Sequence, residues 1–229
     1  MPNSPIRKLV PYAEAAAKRG IKVYKLNIGQ PDIDTAPTAI EAIKNYNTKL
    51  IDYGHSAGNE SLRKKWAEYY QKININVDYE NILITTGASE AITLTLLTCL
   101  NAGDEIIVPE PFYANYFSFA TASDVKVIPI TSSIEQNFAL PLISEFEKKI
   151  TPHTRAIIIC NPNNPTGYIY SKKELEQIKY IIKKYDLFLL SDEVYRELCF
   201  DDEFVSIMHL IEGIEENVIL IDSVSKRYS

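Results

Sequence analysis

A repeating alternation of apolar runs and helical patterns constrains this chain more than any other feature. It extends from about residue 80 to the end of the sequence. The runs are continuously apolar, without the alternation of a half-exposed strand, so both faces of each strand are expected to be buried. This pattern predicts a mostly parallel sheet covered by helices, in the α/β class. The strand candidates are residues 81–85, 105–108, 126–130, 156–160, 187–190 and 218–221.

Several helices are predicted between these strands. Ser171 and Glu174 have the spacing of a capping box, and an apolar face follows them. Leu142, Phe146 and Ile150 indicate a second helix, and residues 90–100 are apolar nearly all round, which predicts a helix buried deep against the sheet.

The first part of the chain has a different character. Residues 12–19 and 37–45 predict helices, and the segment between them is rich in turn-forming residues. We therefore divide the chain into an N-terminal arm and linker, residues 1–36, and a large domain, residues 37–229.

Charge and composition exclude several classes of function. The net charge of −6 and the absence of an unbalanced basic cluster argue against a nucleic-acid partner. No stretch approaches the ~20 apolar residues that span a bilayer, so no membrane association is expected. The three cysteines and three histidines are scattered without metal-ligand spacing. These features predict a cytoplasmic protein without a metal.

Ligands of open parallel sheets bind beyond the carboxyl ends of the strands, so the residues after each apolar run are candidates. After residues 81–85 come Gly87, Ala88 and Ser89, where a helix begins. Free backbone N–H groups and the helix dipole make such a turn an anion site. The alternative is purely structural, with Ser89 as an N-cap and Gly87 as a tight turn.

Two further junctions carry polar residues. The loop "NPNNPTG", residues 161–167, presents several amides after an apolar strand, although a rigid turn would also explain its prolines. Asp192 ends another apolar strand, where a carboxylate is costly to bury without a cation or hydrogen-bond donors. Capping of the next turn is the alternative role for Asp192.

Lys226 follows the last apolar run. A lysine can snorkel to solvent from such a position, but a partly desolvated lysine can also form a Schiff base with a carbonyl. An anion site, an acid, an amide loop and this lysine together suit a ligand with an anion, a carbonyl, a protonatable ring nitrogen and a polar oxygen. Pyridoxal 5'-phosphate has all four groups.

The motifs also resemble a known family, the class I and II aminotransferases of the aspartate aminotransferase fold type. The similarity runs along essentially the whole chain, and the motifs occur in the family's order. It implies the three-layer αβα fold of pyridoxal-phosphate transferases, incomplete at the C-terminus. The matching segments are "NIGQPD", "YGHSAGNESLR", "TTGASEA", "PEPFYANY", "NPNNPTG", "SDEVY" and "SVSK".

The resemblance implies catalytic roles. Lys226 would hold pyridoxal phosphate as an internal aldimine and then transfer a proton between the substrate α-carbon and the cofactor, a contribution of about 10²–10⁴ in rate. Asp192 would keep the pyridine nitrogen protonated. Asn164 and Tyr195 would hydrogen-bond the 3-oxygen of the ring, and Asn164 would also contact substrate.

It implies further contacts as well. Tyr113, or the adjacent Phe112, would stack on the cofactor ring, and Gly29 would lie beside the substrate carboxylate. Tyr53 resembles a tyrosine that reaches the phosphate bound to the neighbouring subunit, which implies a homodimer when full length. The phosphate would be held by Gly87, Ala88, Ser89 and Ser223.

The resemblance implies a cytoplasmic enzyme of amino-acid metabolism that transfers an amino group from an amino acid to a 2-oxo acid. The alternatives are a carbon–sulfur β-lyase or another pyridoxal enzyme on the same scaffold, and a non-catalytic fragment. The family's phosphate-binding arginine after the lysine, an antiparallel strand, and the C-terminal small domain with the arginine that binds the substrate α-carboxylate have no counterpart in these 229 residues. If the chain were the complete polypeptide, we would expect it not to form a stable active enzyme, because apolar surface would stay bare.

Overall fold

The computed structural model describes residues 7–26, 29, 33–200 and 203–228. Within them lies a five-stranded sheet in the order β2-β1-β3-β4-β5, with every neighbouring pair parallel. The predicted parallel sheet is therefore confirmed. The strands are β1 Glu105–Glu110, β2 Lys126–Thr131, β3 Thr154–Cys160, β4 Phe188–Asp192 and β5 Val218–Ile221. The α-helices are α1 Val10–Lys18, α2 Pro37–Lys44, α3 Glu60–Lys72, α4 Ala88–Cys99, α5 Asn115–Ala122, α6 Ile143–Lys149 and α7 Lys172–Tyr185.

Helices cover both faces of the sheet. Successive residues of a strand point to opposite faces, so Ile157 of β3 packs with α6 and α7, while Ile158 packs with α4 and α5. Both isoleucines are almost fully buried. This burial on two sides explains why the runs are continuously apolar, and it confirms the three-layer prediction.

The capping box of α7 forms as predicted. The Glu174 N–H donates to Ser171 Oγ at 3.3 Å, and the Ser171 N–H donates to Glu174 Oε2 at 2.8 Å. The helix then buries one face against the sheet and ends at Asp186, which has a φ of 50°. The buried residues of this face are Leu175, Ile178, Ile181 and Ile182.

The strand predicted at residues 81–85 is wrong. Asn81 belongs to a short 3-10 helix, and residues 82–85 are not paired with any strand that the structure describes. The Ile84 N–H donates instead to the Ala57 carbonyl at 3.0 Å. An apolar run becomes a strand only where a neighbour offers its backbone, and β5 is the outermost described strand on its side of the sheet.

The deep burial predicted for residues 90–100 holds for one face only. Helix α4 buries Ile92 and Leu96, whereas Leu94 and Leu97 are 39% and 58% exposed. The apolar pattern gave no means of telling the covered face from the open one.

The N-terminal helices differ from the rest. Helices α1 and α2 form where they were predicted, and neither contains a buried residue. In the described parts of the chain, no helix is long and apolar enough to cross a membrane. The same residues include no group of three or more histidine, cysteine, aspartate or glutamate side chains that could hold a metal ion.

Candidate functional site

The candidate site lies at the carboxyl edge of the sheet. Chain order and spatial order diverge between β1 and β3, because β2 lies on the far side of β1. This is the switch point at which open α/β sheets bind ligands. The segments that follow β1, β3, β4 and β5 all leave the sheet at this edge. Three of the predicted junctions, those after β3, β4 and β5, therefore share one region with the segment after β1.

Asp192 is a buried carboxylate with hydrogen bonds but no ion pair to a described residue. Its side chain accepts hydrogen bonds from the Tyr116 hydroxyl at 2.5 Å and from the Val194 N–H at 3.3 Å. Burial raises the pKa of Asp192 to about 6, while these two hydrogen bonds and the charge of Lys226 act in the opposite direction. The Val194 bond matches the capping alternative, but such a cap does not require burial in an apolar edge. A protonated ring nitrogen would fit this carboxylate.

Tyr116 is a site residue that sequence reasoning missed. Its side chain is 1% exposed, and its ring lies 6.3 Å from that of Phe112 and 5.4 Å from that of Tyr113. A buried phenol usually needs a hydrogen-bond partner, and a tyrosine on the inner face of α5, one turn before Ala120, was the available signal.

Only one asparagine of the loop at residues 161–167 faces a catalytic candidate. Asn164 Nδ2 donates to the Tyr195 hydroxyl at 3.2 Å, so the structure brings this predicted pair together. Asn161 is buried and bonds to the Tyr170 N–H and the Val205 carbonyl, which is the structural role of a rigid turn. An open cavity of about 280 Å³ adjoins Asn164 and Tyr195.

The turn before α4 has the geometry of an anion site. Gly87 adopts a φ of 78°, and a Cβ there would meet no atom within 4 Å, so the approach to the helix is open. Gly87 is the N-cap of α4 and has no side chain that could bond to the first N–H groups of the helix. These N–H groups are therefore available to an anion. Ser89 is within the helix, so the alternative that it acts as the N-cap is wrong.

Lys226 lies in a turn directly after β5. It is partly buried and makes no hydrogen bond or ion pair with a described residue. Ile221, the last residue of β5, pairs with Asp192 of β4, so the turn that carries Lys226 leaves the sheet beside Asp192. Ser223, at the start of the turn, is buried, and its hydroxyl accepts the Ser225 N–H at 3.1 Å.

The remaining predicted residues are less closely connected. Tyr113 is partly buried and accepts a hydrogen bond from Asn115 Nδ2 at 2.7 Å. Ala88 and Phe112 pack against the same core cluster as Tyr113. Tyr53 and Gly29 are exposed, and no described hydrogen bond joins either to the other site residues.

These features form a candidate ligand site at the edge of a parallel α/β sheet, and comparison with known proteins identifies the family. The family model for class I and II aminotransferases matches residues 21–229. The chain belongs to the class I and II aminotransferase family.

Individual relatives support the same assignment. The chain is 36% identical over 209 residues to an aspartate aminotransferase of Pyrococcus horikoshii, covering 90% of this chain and 53% of that protein. It is 35% identical to aromatic-amino-acid aminotransferase 2 of Thermococcus litoralis, covering 99% and 58%. An aminotransferase structure from Escherichia coli superposes with a TM-score of 0.89 at 34% identity, covering 98% and 56%. The chain therefore spans just over half the length of these relatives.

The Tyr116–Asp192 hydrogen bond leads to a pH-dependent prediction. Tyr116→Phe is expected to lower the free energy of unfolding by about 1–3 kcal/mol at about pH 8, where Asp192 is ionised and loses a donor. The loss should be smaller at about pH 5, below the Asp192 pKa of about 6. Urea unfolding at both pH values measures it. Tyr185→Phe is the control, because it removes a 3.2 Å hydrogen bond from a tyrosine hydroxyl to Glu147, a partly exposed carboxylate. If Tyr116→Phe lowered the free energy of unfolding equally at both pH values, a hydrogen bond from Tyr116 to the ionised Asp192 would be refuted.

Proposed function

We propose that this protein transfers an amino group from an amino acid to a 2-oxo acid, with pyridoxal phosphate held covalently by Lys226. Family membership supports amino-group transfer in general. The observation that carries the residue assignment is the buried carboxylate of Asp192, which forms no ion pair with a described residue and ends β4 beside β5, the strand that precedes Lys226. When bound, pyridoxal phosphate supplies a carbonyl for amines and a ring that accepts an electron pair.

Lys226 has two tasks in this proposal. It anchors the cofactor, and its amine, once released, takes the proton from the substrate α-carbon and returns one later. Its partly buried position, in the turn after β5, lies at the edge of the sheet where β4 ends at Asp192. Asp192 stays ionised opposite a protonated ring nitrogen, whose positive charge replaces the cation that the carboxylate lacks.

The other residues hold and orient the cofactor. Asn164 and Tyr195 donate to the ring oxygen from the hydrogen-bonded pair that they form. Tyr113 would stack on the ring. The phosphate would be bound by Gly87, Ala88 and Ser89, where α4 begins, together with Ser223.

Substrates and assembly are also proposals. The relatives are named for aspartate and for aromatic amino acids, and an amino acid and a 2-oxo acid of this kind are the proposed substrates. Gly29 would approach the substrate carboxylate. The full protein would be a cytoplasmic homodimer in which Tyr53 reaches the partner's cofactor phosphate, which suits its full exposure here. Residues 1–36 would form an arm and residues 37–229 the cofactor-binding domain.

Single-turnover product analysis tests the reaction class. The protein loaded with pyridoxal phosphate is mixed with an amino acid in the absence of a 2-oxo acid. A transaminase yields one equivalent of 2-oxo acid and the aminated cofactor. With an amino acid that carries a β-thioether, release of a thiol, pyruvate and ammonia, with the cofactor recovered in its aldehyde form, would show a β-lyase and refute the proposed transfer.

Gly87 provides a test of the phosphate site. Gly87→Ala forces a side chain into a φ of 78° at the start of α4, which costs about 1 kcal/mol or more. We expect the dissociation constant for pyridoxal phosphate to rise about tenfold, since the N–H groups move away from the anion. Gly103→Ala is a matched control, because Gly103 has a φ of 86° and equally open space but precedes β1 at the opposite edge. Equal loss of affinity in both variants would contradict a phosphate site at Gly87.

A further inference from the structure

An ion pair closes the turn that contains Lys226. Arg227 Nη2 lies 2.6 Å from Asp222 Oδ1, and both side chains are buried, with 5% and 6% exposed. Two backbone bonds tighten the same turn, because the N–H groups of Arg227 and Tyr228 both donate to the Val224 carbonyl. The pair thus joins the residue that precedes the turn to the residue that follows Lys226.

Both oxygens of the Asp222 carboxylate have partners. Its Oδ1 accepts from Arg227 and from the Ser223 N–H at 2.7 Å. Its Oδ2 accepts a hydrogen bond from the Tyr70 hydroxyl at 3.0 Å and lies 3.0 Å from Arg196 Nη2 as an ion pair. Three hydrogen-bond donors and the ion pair with Arg196 fix the orientation of the carboxylate, and these four groups come from three segments of the chain.

Helix α3 covers the arginine from the other side. The guanidinium carbon of Arg227 lies 5.0 Å from the centre of the Tyr69 ring and 5.5 Å from that of Trp66. Contacts of this kind hold a planar guanidinium in one orientation. The guanidinium of Arg227 is therefore held by its ion pair with Asp222 and by its contacts with the Tyr69 and Trp66 rings.

A buried ion pair of this kind contributes more to geometry than to stability. Removing charges from water is costly, and well-packed apolar residues often stabilise a core equally well. Lys226 itself has no bonding partner among the described residues, so its direction depends on the backbone of its turn. We propose that the Asp222–Arg227 ion pair positions Lys226. It fixes the turn so that the lysine amine points towards the carbonyl of the proposed cofactor, which would bind in the site that contains Asp192. This inference rests on the proposed role of Lys226.

Two rates measured on the same lysine test the inference. The first is capture of pyridoxal phosphate by Lys226, quenched with borohydride at successive times and quantified by peptide mass spectrometry. The second is acetylation of Lys226 by dilute acetic anhydride in cofactor-free protein. Arg227→Met is expected to slow capture about tenfold, as expected for a displaced reactive group. It should also speed acetylation about threefold, because a released side chain becomes more exposed.

The controls separate positioning from general loss of structure. Arg155→Met removes an arginine that is half exposed and 3.9 Å from Asp104, at the amino end of β3, and should change neither rate. Arg227→Lys keeps the charge without the planar group. Its capture and acetylation rates should lie between those of Arg227→Met and those of the unmodified protein. Fragment spectra distinguish the new lysine from Lys226.

Each outcome bears on the inference. Slower capture with faster acetylation supports it, and unchanged rates in Arg227→Met overturn it. If Arg227→Met does not fold, Arg227→Lys decides by the same two rates, and unchanged values again overturn the inference. Absence of capture by Lys226 in the unmodified protein would refute the proposed function instead, and acetylation would still report on the ion pair.

Discussion

Lys226→Met is expected to lower transamination by at least about 10⁴-fold, the largest effect of any single substitution in this chain. The change removes both the covalent anchor and the base that moves the α-proton, and positioned proton transfer alone is worth about 10²–10⁴. Steady-state turnover with an amino donor and a 2-oxo acid measures it. The fold should persist, because Lys226 makes no bond to a described residue.

Lys184→Met is the matched control for this experiment. Lys184 lies on α7 and forms an ion pair at 2.7 Å with Glu147 near the surface. Exposed pairs of this type contribute little, so turnover should stay within about twofold. Retention of turnover within about tenfold by Lys226→Met would show that another group carries out both tasks.

Asp192→Asn is expected to change stability and catalysis in opposite directions. The folded pKa of about 6 lies above the ordinary value of 3.8, so the folded state holds the proton more tightly than the unfolded state. The stabilisation from this proton is complete below the ordinary value and is lost as the pH rises through about 6. In cofactor-free protein at about pH 8, asparagine removes a buried charge and should raise the free energy of unfolding by roughly 1–3 kcal/mol.

The same substitution should lower turnover by about 10²–10³-fold, because the ring nitrogen loses its ionic partner in the transition state. Urea unfolding at about pH 8 and about pH 5 measures the stability arm, and the gain should shrink at the lower pH. Asp124→Asn, on an exposed turn with a φ of 56°, should affect neither property. A variant that loses stability at about pH 8 while keeping its turnover would contradict the role of Asp192.

The parts of the site that depend on strand ends could be predicted from the sequence. A continuous apolar run ends where the chain leaves a parallel sheet, and all such ends meet at one edge. This local signal was enough to bring Asp192, Lys226 and the loop at residues 161–167 to one region, and the family resemblance then selected Asn164 and Tyr195. The capping box at Ser171 was predictable for the same reason, since all of its atoms lie within one turn of helix.

Features that depend on distant contacts could not be predicted. Residues 82–85 are as apolar as a strand but pair with no described strand. The open face of α4 and the Tyr116–Asp192 bond both depend on how separate segments pack, and Tyr116 and Asp192 are 76 positions apart. The contacts of Asp222 with Tyr70 and Arg196 are of the same kind.

The most direct test of the proposed function is the site of covalent attachment. The purified protein is incubated with pyridoxal phosphate, reduced with borohydride, digested and mapped by mass spectrometry. We expect a single modified peptide that carries the phosphopyridoxyl group on Lys226, with Lys184 and the other surface lysines unmodified at stoichiometric cofactor. Modification spread over surface lysines, or confined to a lysine other than Lys226, would contradict the proposal.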